Sequence, residues 1–382
     1  MQISTGKYDI ILLAVAILYL LDQRINSIFN TNGIGFILIL LIYIFSNKFN
    51  VKKNNVIYIT ILLIYVLITL ILSPCSFSIK SILSIILLPA LVIFIIGGYL
   101  NNIVTDKYIS NFIMIAVSTS LIVSAGLDQL FSLDRIARFY YEYSHVALYV
   151  MPIIIYRLFC NYKDKLAWLS VFTISIFSFS TTFFIGLILS LFFIINIYKL
   201  KIFSVLLILP LILFGFIYYE HVYDRLLGLF HTSNSFESNL SSLVWLNGFS
   251  MANEYTTNTN GLGIGFNQMG CNNTGNIGIY SDLIAVGNNG VVLNFEDGSF
   301  AFSKIVSEMG FLGFFLTAAL TFYSLNVFYR AFNEKELKNI NFLILAGAIS
   351  TLICLYVRSA GYYQLHFIIA LSMLLSQRKF LR

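Results

Sequence analysis

Five residues near the middle of the chain could grip an anion and move a proton: Arg135, Arg138, Glu142, His145 and Tyr149. If that stretch is helical, they fall at i, i+3, i+7, i+10 and i+14, along one continuous face. A planar guanidinium donates two parallel hydrogen bonds to phosphate oxygens. A carboxylate or imidazole beside it can accept the proton of an attacking hydroxyl. The plainer alternative is equally open: Arg138 and Glu142 form an i, i+4 pair, and His145 caps a helix start.

Two further arginines, Arg225 and Arg358, sit just beyond apolar runs, where an unpaired charge is costly. A salt bridge or a lipid headgroup would explain either one; a diphosphate would explain them together. Arg225 is the only Lys or Arg in residues 220–300, which also carry seven carboxylates and are therefore at about −6. That segment is no anion trap by itself. Its wealth of Asn, Asp, Glu, Tyr and Trp suits a polyhydroxylated partner instead, with Trp245 and Asn267 as candidate sugar contacts.

The elements that must position these groups are membrane helices. Of the 382 residues, 59% are hydrophobic and 10% charged, against about 25% charged in soluble domains. Apolar runs recur without the alternation of a transmembrane barrel. The expected fold is an all-α polytopic membrane protein. About twelve spans are expected, at 8–21, 28–46, 56–73, 82–100, 109–127, 145–161, 166–180, 182–198, 202–219, 301–328, 341–357 and 362–376. Residues 166–198 also fit one long tilted helix, which would reverse the sidedness of everything before it. Three regions follow: 1–219, with about nine spans; the polar loop 220–300, with short helices; and 301–382, with about three spans. Tyr8–Leu21 ends without a small-residue cleavage site and reads as a retained helix.

With both termini inside, sixteen of the 23 Lys and Arg residues face the cytoplasm, and the loop lies outside. The net charge of +6 is spread over such short clusters and does not point to nucleic acid. The four cysteines, Cys75, Cys160, Cys271 and Cys354, are scattered, so neither a metal site nor a disulfide framework is expected. Within the loop, residues 239–255 read as an amphipathic helix lying on the membrane surface. Gly261, Gly263, Gly265 and Gly270 lack the βαβ setting of a nucleotide fingerprint; they suit close approach of backbone to a ligand or to another segment. His366, just inside the last span, reads as a buried and satisfied histidine.

Two stretches resemble a known family. Glu142–Pro152 (EYSHVALYVMP) resembles the segment of bacterial O-antigen polymerases, the Wzy type, that enters a periplasm-facing helix behind an Arg. The order Arg225, Trp245, Gly261–Gly270, Asp297-Gly-Ser-Phe300 and Glu308-Met-Gly-Phe-Leu-Gly313 is similar to the large periplasmic loop of these polymerases and of the related O-antigen ligases. The ligases carry a His where the loop returns to the membrane, and this chain has Glu296 and Asp297 there.

The resemblance implies an inner-membrane glycosyltransferase that polymerises undecaprenyl-diphosphate-linked oligosaccharide repeat units. It implies an arginine clamp of Arg135, Arg138, Arg225 and Arg358 on the diphosphate, and Glu142, His145 or Asp297 as general base. No cofactor and no metal are expected. Membrane lipid and a chain-length regulator protein are the further partner classes. The alternatives are a transporter or flippase of the same lipid-linked oligosaccharide, and an O-antigen ligase.

Overall fold

The computed structural model describes residues 5–29, 33–46, 53–75, 79–131, 143–178, 180–198, 240–271, 278–287, 293–333, 341–359 and 361–376. Among these there are helices and turns and no strand. The helices are α1 (Thr5–Phe29), α2 (Ile34–Phe45), α3 (Lys53–Ile71), α4 (Ile79–Gly97), α5 (Asn101–Thr105), α6 (Lys107–Phe131), α7 (Tyr143–Cys160), α8 (Lys165–Ser178) and α9 (Thr181–Tyr198). After residues outside the description come α10 (Leu240–Asn258), α11 (Ser281–Gly287), α12 (Ala301–Asn333), α13 (Phe342–Tyr356) and α14 (Leu365–Leu374). Each expected span coincides with a helix except 202–219, which lies outside the described residues.

The apolar surface of these helices identifies a membrane-embedded protein. Among the described residues, four helical stretches, Ser81–Thr105, Lys107–Ser124, Thr181–Tyr198 and Ala301–Phe332, are long and apolar enough to cross a bilayer. Others are shorter apolar helices. Phe311, Phe314, Phe315, Phe322, Leu325 and Tyr329 form an exposed apolar stripe along α12, as a lipid-facing surface would. Helix is the only economical choice in such a setting, because every backbone N–H and C=O must be bonded within the segment. Pro89 in α4 and Pro152 in α7 are tolerated for the same reason: packed neighbours shelter the freed groups.

The core lies where α7, α13 and α14 meet, with Val146–Met151, Ala346–Ile349 and Leu365–Ala370 almost wholly buried. Residues 166–198 form two helices, and the second returns to the start of the first. Tyr198 OH donates to Phe159 O at 2.7 Å, and the Tyr162 and Tyr198 rings are 4.6 Å apart. Small residues permit this packing: a Cβ on Gly186 of α9 would sit 2.4 Å from Met151 Sδ.

The bundle has two polar ends. One gathers Arg157, Asp164, Ser110 and Asn111. The other gathers the turn after α3, the start of α4, the glycine-rich turn 261–270, the start of α12 and the turn before α14.

Two expectations need correcting at this second end. Cys75, after α3, is disulfide-bonded to Cys271, with a Cα–Cα distance of 6.0 Å. The pairing spans 196 residues, so no local spacing announces it. The amphipathic helix of residues 239–255 is present as α10, but its apolar face is turned onto protein. Leu243, Val244, Asn247, Gly248, Met251, Ala252 and Tyr255 are buried at helical spacing. Ser303 Oγ of α12 donates to Gly248 O at 2.5 Å.

Candidate functional site

The site is built around a break in α12. Gly310 leaves the helix with φ 54° and ψ −133°, a backbone conformation open to glycine. A break inside an apolar helix strands carbonyls that must find other donors. The glycine-rich turn supplies them. Ile264 N donates to Ser307 O at 3.0 Å, and Gly265 N to Glu308 O at 3.1 Å. Tyr65 OH of α3 donates to Met309 O at 2.7 Å. In return Phe311 N donates to Gly261 O at 2.8 Å. The approach is so close that a Cβ on Gly263 would lie 2.5 Å from Glu308 O. The glycines therefore serve the approach of one segment to another.

Glu308 completes the joint. Its side chain is fully buried, yet its carboxylate has four donors. Asn267 N reaches Oε2 at 2.7 Å, Met269 N reaches Oε1 at 3.3 Å, Tyr362 OH bonds Oε2, and Lys304 Nζ lies 3.3 Å from Oε1. Phe266, at the tip of the turn, stacks on Tyr362 with ring centroids 4.8 Å apart. The Cys75–Cys271 bond and the Ser73 hydroxyl, which donates to Ile264 O, hold the turn from the α3 side.

The return turn beside this joint carries Asp297. Its Oδ1 accepts from Ser299 N at 3.1 Å, and Ser299 O accepts from Ser359 N at 3.0 Å. That bond brings Asp297 and Arg358, far apart in sequence, into one cluster. Burial raises the Asp297 carboxyl above the usual carboxylate range. The Ser299 amide and the charges of Lys304 and Arg358 oppose the shift, and Glu296 adds to it. A carboxyl with a raised pKa next to an arginine suits proton abstraction beside an anion.

The other expected site residues are distributed as follows. Arg135, Arg138, Glu142 and Arg225 lie outside the described residues. His145 is partly buried at the start of α7, and Tyr149, one turn on, donates to Asp22 Oδ2 at 2.7 Å. Trp245 gives its indole N–H to Tyr356 O at 2.7 Å and packs against Phe249 and Phe300; it ties α10 to the end of α13. The Asn267 side chain donates from Nδ2 to Ser84 Oγ at 2.8 Å, and its main-chain carbonyl accepts from Ser81 Oγ at 3.3 Å. The Trp245 indole N–H and the Asn267 Nδ2 are thus both donated to the protein. His366 is buried, with Nε2 3.5 Å from Ser359 Oγ, and its Nδ1 makes no hydrogen bond, so it is less satisfied than expected.

Lys304 and Tyr362 have no role assigned from the sequence, and Glu308 enters only as the start of the Glu308–Gly313 motif. A Lys and a Glu at i, i+4 opening an apolar helix were the available signal. No group of three or more His, Cys, Asp or Glu placed to hold a metal occurs among the described residues. No family model, no curated protein and no solved structure matches this chain.

Proposed function

We propose that the chain is a glycan polymerase of the cell membrane. It joins oligosaccharide repeat units carried on undecaprenyl diphosphate, at the outer face, and releases undecaprenyl diphosphate. The reading is carried by one observation: the Ser359–Ser299 backbone bond brings Arg358 near enough for its charge to act on the Asp297 carboxyl, beside a broken helix at a polar end of an apolar bundle. Support comes also from the resemblance of Glu142–Pro152 and of residues 225–313 to O-antigen polymerases. The proposed arrangement has about twelve spans, both termini in the cytoplasm and the 220–300 loop in the periplasm. The Cys75–Cys271 bond favours it, because disulfides persist in oxidising compartments and both cysteines belong to expected outside turns.

In this mechanism Asp297 takes the proton of the attacking sugar hydroxyl. The hydroxyl oxygen bonds the anomeric carbon, and the diphosphate leaves with the electron pair of the broken C–O bond. Arg358, with Arg135, Arg138 and Arg225, neutralises the charge that builds on that leaving group. Glu142 and His145 are the alternative bases.

The test is purified protein in liposomes with a synthetic lipid-diphosphate repeat unit and no nucleotide sugar, read on a gel. A ladder of multiples with released undecaprenyl diphosphate supports the reading. Movement of the lipid-linked sugar across the membrane without a ladder replaces it with a flippase. Transfer to a non-polymeric acceptor alone replaces it with a ligase. Asp297→Asn is expected to slow laddering about 10²–10⁴-fold, the usual span of a general base. Because the Asp297 pKa is raised, the acid-side fall in rate is expected at higher pH than for an ordinary carboxylate.

The same shift has a stability sign. A folded state that holds the Asp297 proton more tightly than the unfolded chain is favoured at low pH. That contribution disappears as pH rises through the folded-state pKa, so Asp297→Asn is expected to be neutral or stabilising at neutral pH.

A further inference from the structure

Lys304 opens α12 at the outer end of an apolar helix, where a lysine would ordinarily reach for water or a headgroup phosphate. It does neither. Only 8% of its side chain is exposed. Its Nζ is 3.3 Å from Glu308 Oε1, donates to Glu296 O at 2.7 Å, and lies 5.7 Å from the centre of the Tyr362 ring. Glu296 O belongs to the peptide group whose nitrogen is that of Asp297. The ammonium therefore grips the backbone that carries the Asp297 side chain, and its charge also faces that carboxylate. Glu308 has one face on Lys304 and its remaining lone pairs on Asn267 N, Met269 N and Tyr362 OH, which leaves it no freedom to follow another partner.

We propose that Lys304 and Glu308 are a positioning pair for Asp297: the buried Glu308 carboxylate fixes the Lys304 ammonium, and the ammonium fixes the place and the electrostatic surroundings of the Asp297 carboxylate. The proposal rests on the reading of Asp297 as the base of the transfer. It adds a division of labour, in which neither Lys304 nor Glu308 touches substrate.

The charges facing Asp297 are Lys304 from α12, Arg358 from the turn after α13, and Glu296 from its own turn. α10 reaches this turn at Ser299, whose Oγ donates to the Val244 carbonyl at 3.2 Å. Lys304 and Arg358 favour the ionised carboxylate, and Glu296 disfavours it. Two substitutions should then act in opposite directions. Lys304→Met removes a favourable charge and makes Asp297 harder to ionise. Glu308→Gln, nearly isosteric, leaves the Lys304 charge uncompensated and makes Asp297 easier to ionise. A merely structural role predicts loss of activity in both, with no opposed displacement.

The experiment uses the full chain in lipid nanodiscs, labelled with ¹³C at the aspartate carboxyl. The resonance lost in Asp297→Asn identifies Asp297. Its midpoint is expected to rise in Lys304→Met and fall in Glu308→Gln, each by about half a pH unit, roughly threefold in proton affinity. Lys304→Arg keeps the charge and is expected to restore the wild-type midpoint. The acid limb of the ladder-forming rate should move with these midpoints. Unmoved midpoints, or midpoints that move in the same direction, overturn the pair. If Lys304→Met does not fold, Glu308→Gln decides alone by the sign of its shift. No ladder from wild type, with the opposed midpoints intact, overturns the polymerase reading and leaves the pair standing.

Discussion

The two polar ends of the bundle each hold an ion pair, one partly exposed and one buried, and the pairs are built differently. Arg157 and Asp164 lie seven residues apart across one tight connection. Asp164 Oδ2 accepts from Arg157 Nε at 2.8 Å, while Oδ1 caps α8 through Leu166 N and Ala167 N at 3.1 and 3.3 Å. Arg157 Nη1 donates to Ser110 Oγ at 2.9 Å and to Asn111 Oδ1 at 2.7 Å, tying α7 to α6. Lys304 and Glu308 are also close in sequence, but here it is the carboxylate that takes the distant partners, two of them backbone amides. Asn267 N lies 41 residues before Glu308, and Tyr362 lies 54 after it. The first pair closes a connection and ties in one further helix, α6; the second holds the turn 261–270, the start of α12 and the turn before α14 at one point. A joint of the second kind costs chain entropy to assemble, and a bundle does not need it to stay folded as helices. Its presence beside Asp297 and Arg358 favours a role in holding a site.

The comparison breaks most sharply at Glu308. Glu308→Ala leaves the Lys304 ammonium buried without its counter-charge, and it strips the Asn267 and Met269 amides and the Tyr362 hydroxyl of their acceptor. Breaking a buried pair from one side costs about 3–5 kcal/mol. The expected result is a large fall in unfolding temperature in detergent, with release of the turn 261–270 to proteolysis. A variant as stable as wild type would mean that the joint is decoration on a bundle that holds itself.

Next in size is the covalent tie to the same turn. Cys75→Ser removes a cross-link closing a loop of 196 residues, for which about 2–4 kcal/mol is typical. Wild-type protein should run faster than the variant on a non-reducing gel, and Cys271→Ser should match Cys75→Ser in both mobility and unfolding temperature. The double variant should be no worse than either single one, because one bond is lost in each case. Additive losses would show that the two thiols act separately.

The sequence was most informative where cause and effect are neighbours. Helix positions follow from apolar runs, because each helix bonds itself. The glycines of 261–270 could be read as a place of close approach, since their conformational freedom is intrinsic. What they approach could not, because Gly310 is one glycine among 23 and looks like ordinary helix filler until Gly261 and Gly263 are laid against it. The question of one helix or two in 166–198 has the same character: Tyr198 meets Phe159 only after the chain has folded back. The Cys75–Cys271 bond, the indole N–H of Trp245 on Tyr356 O, and the meeting of Asp297 with Arg358 all depend on topology that no spacing encodes. Trp245 and Asn267 show what such a reading leaves out. Their side chains suit a sugar, and the fold directs their polar groups to its own backbone and hydroxyls.

The smallest expected effect is at the local pair. Asp164 does two jobs with two oxygens, and substitution can separate them. Asp164→Ser keeps an oxygen for the first amides of α8 and loses the ion pair; Asp164→Ala loses both. The two variants should therefore differ by about 1 kcal/mol, the ordinary contribution of a helix N-cap. The loss common to both reports what Arg157 gains from its carboxylate. That common loss should stay below the deficit of Glu308→Ala, because Arg157 keeps Ser110 and Asn111 as acceptors and retains some contact with water. Unfolding temperatures of the three variants in one detergent, measured at low and at high salt, check the ranking. Salt should narrow the gap between wild type and Asp164→Ser and leave the Ser–Ala difference unchanged, since a neutral cap is not screened. If the Ala and Ser variants unfold together, the cap contributes nothing, and the local end is held by its ion pair alone.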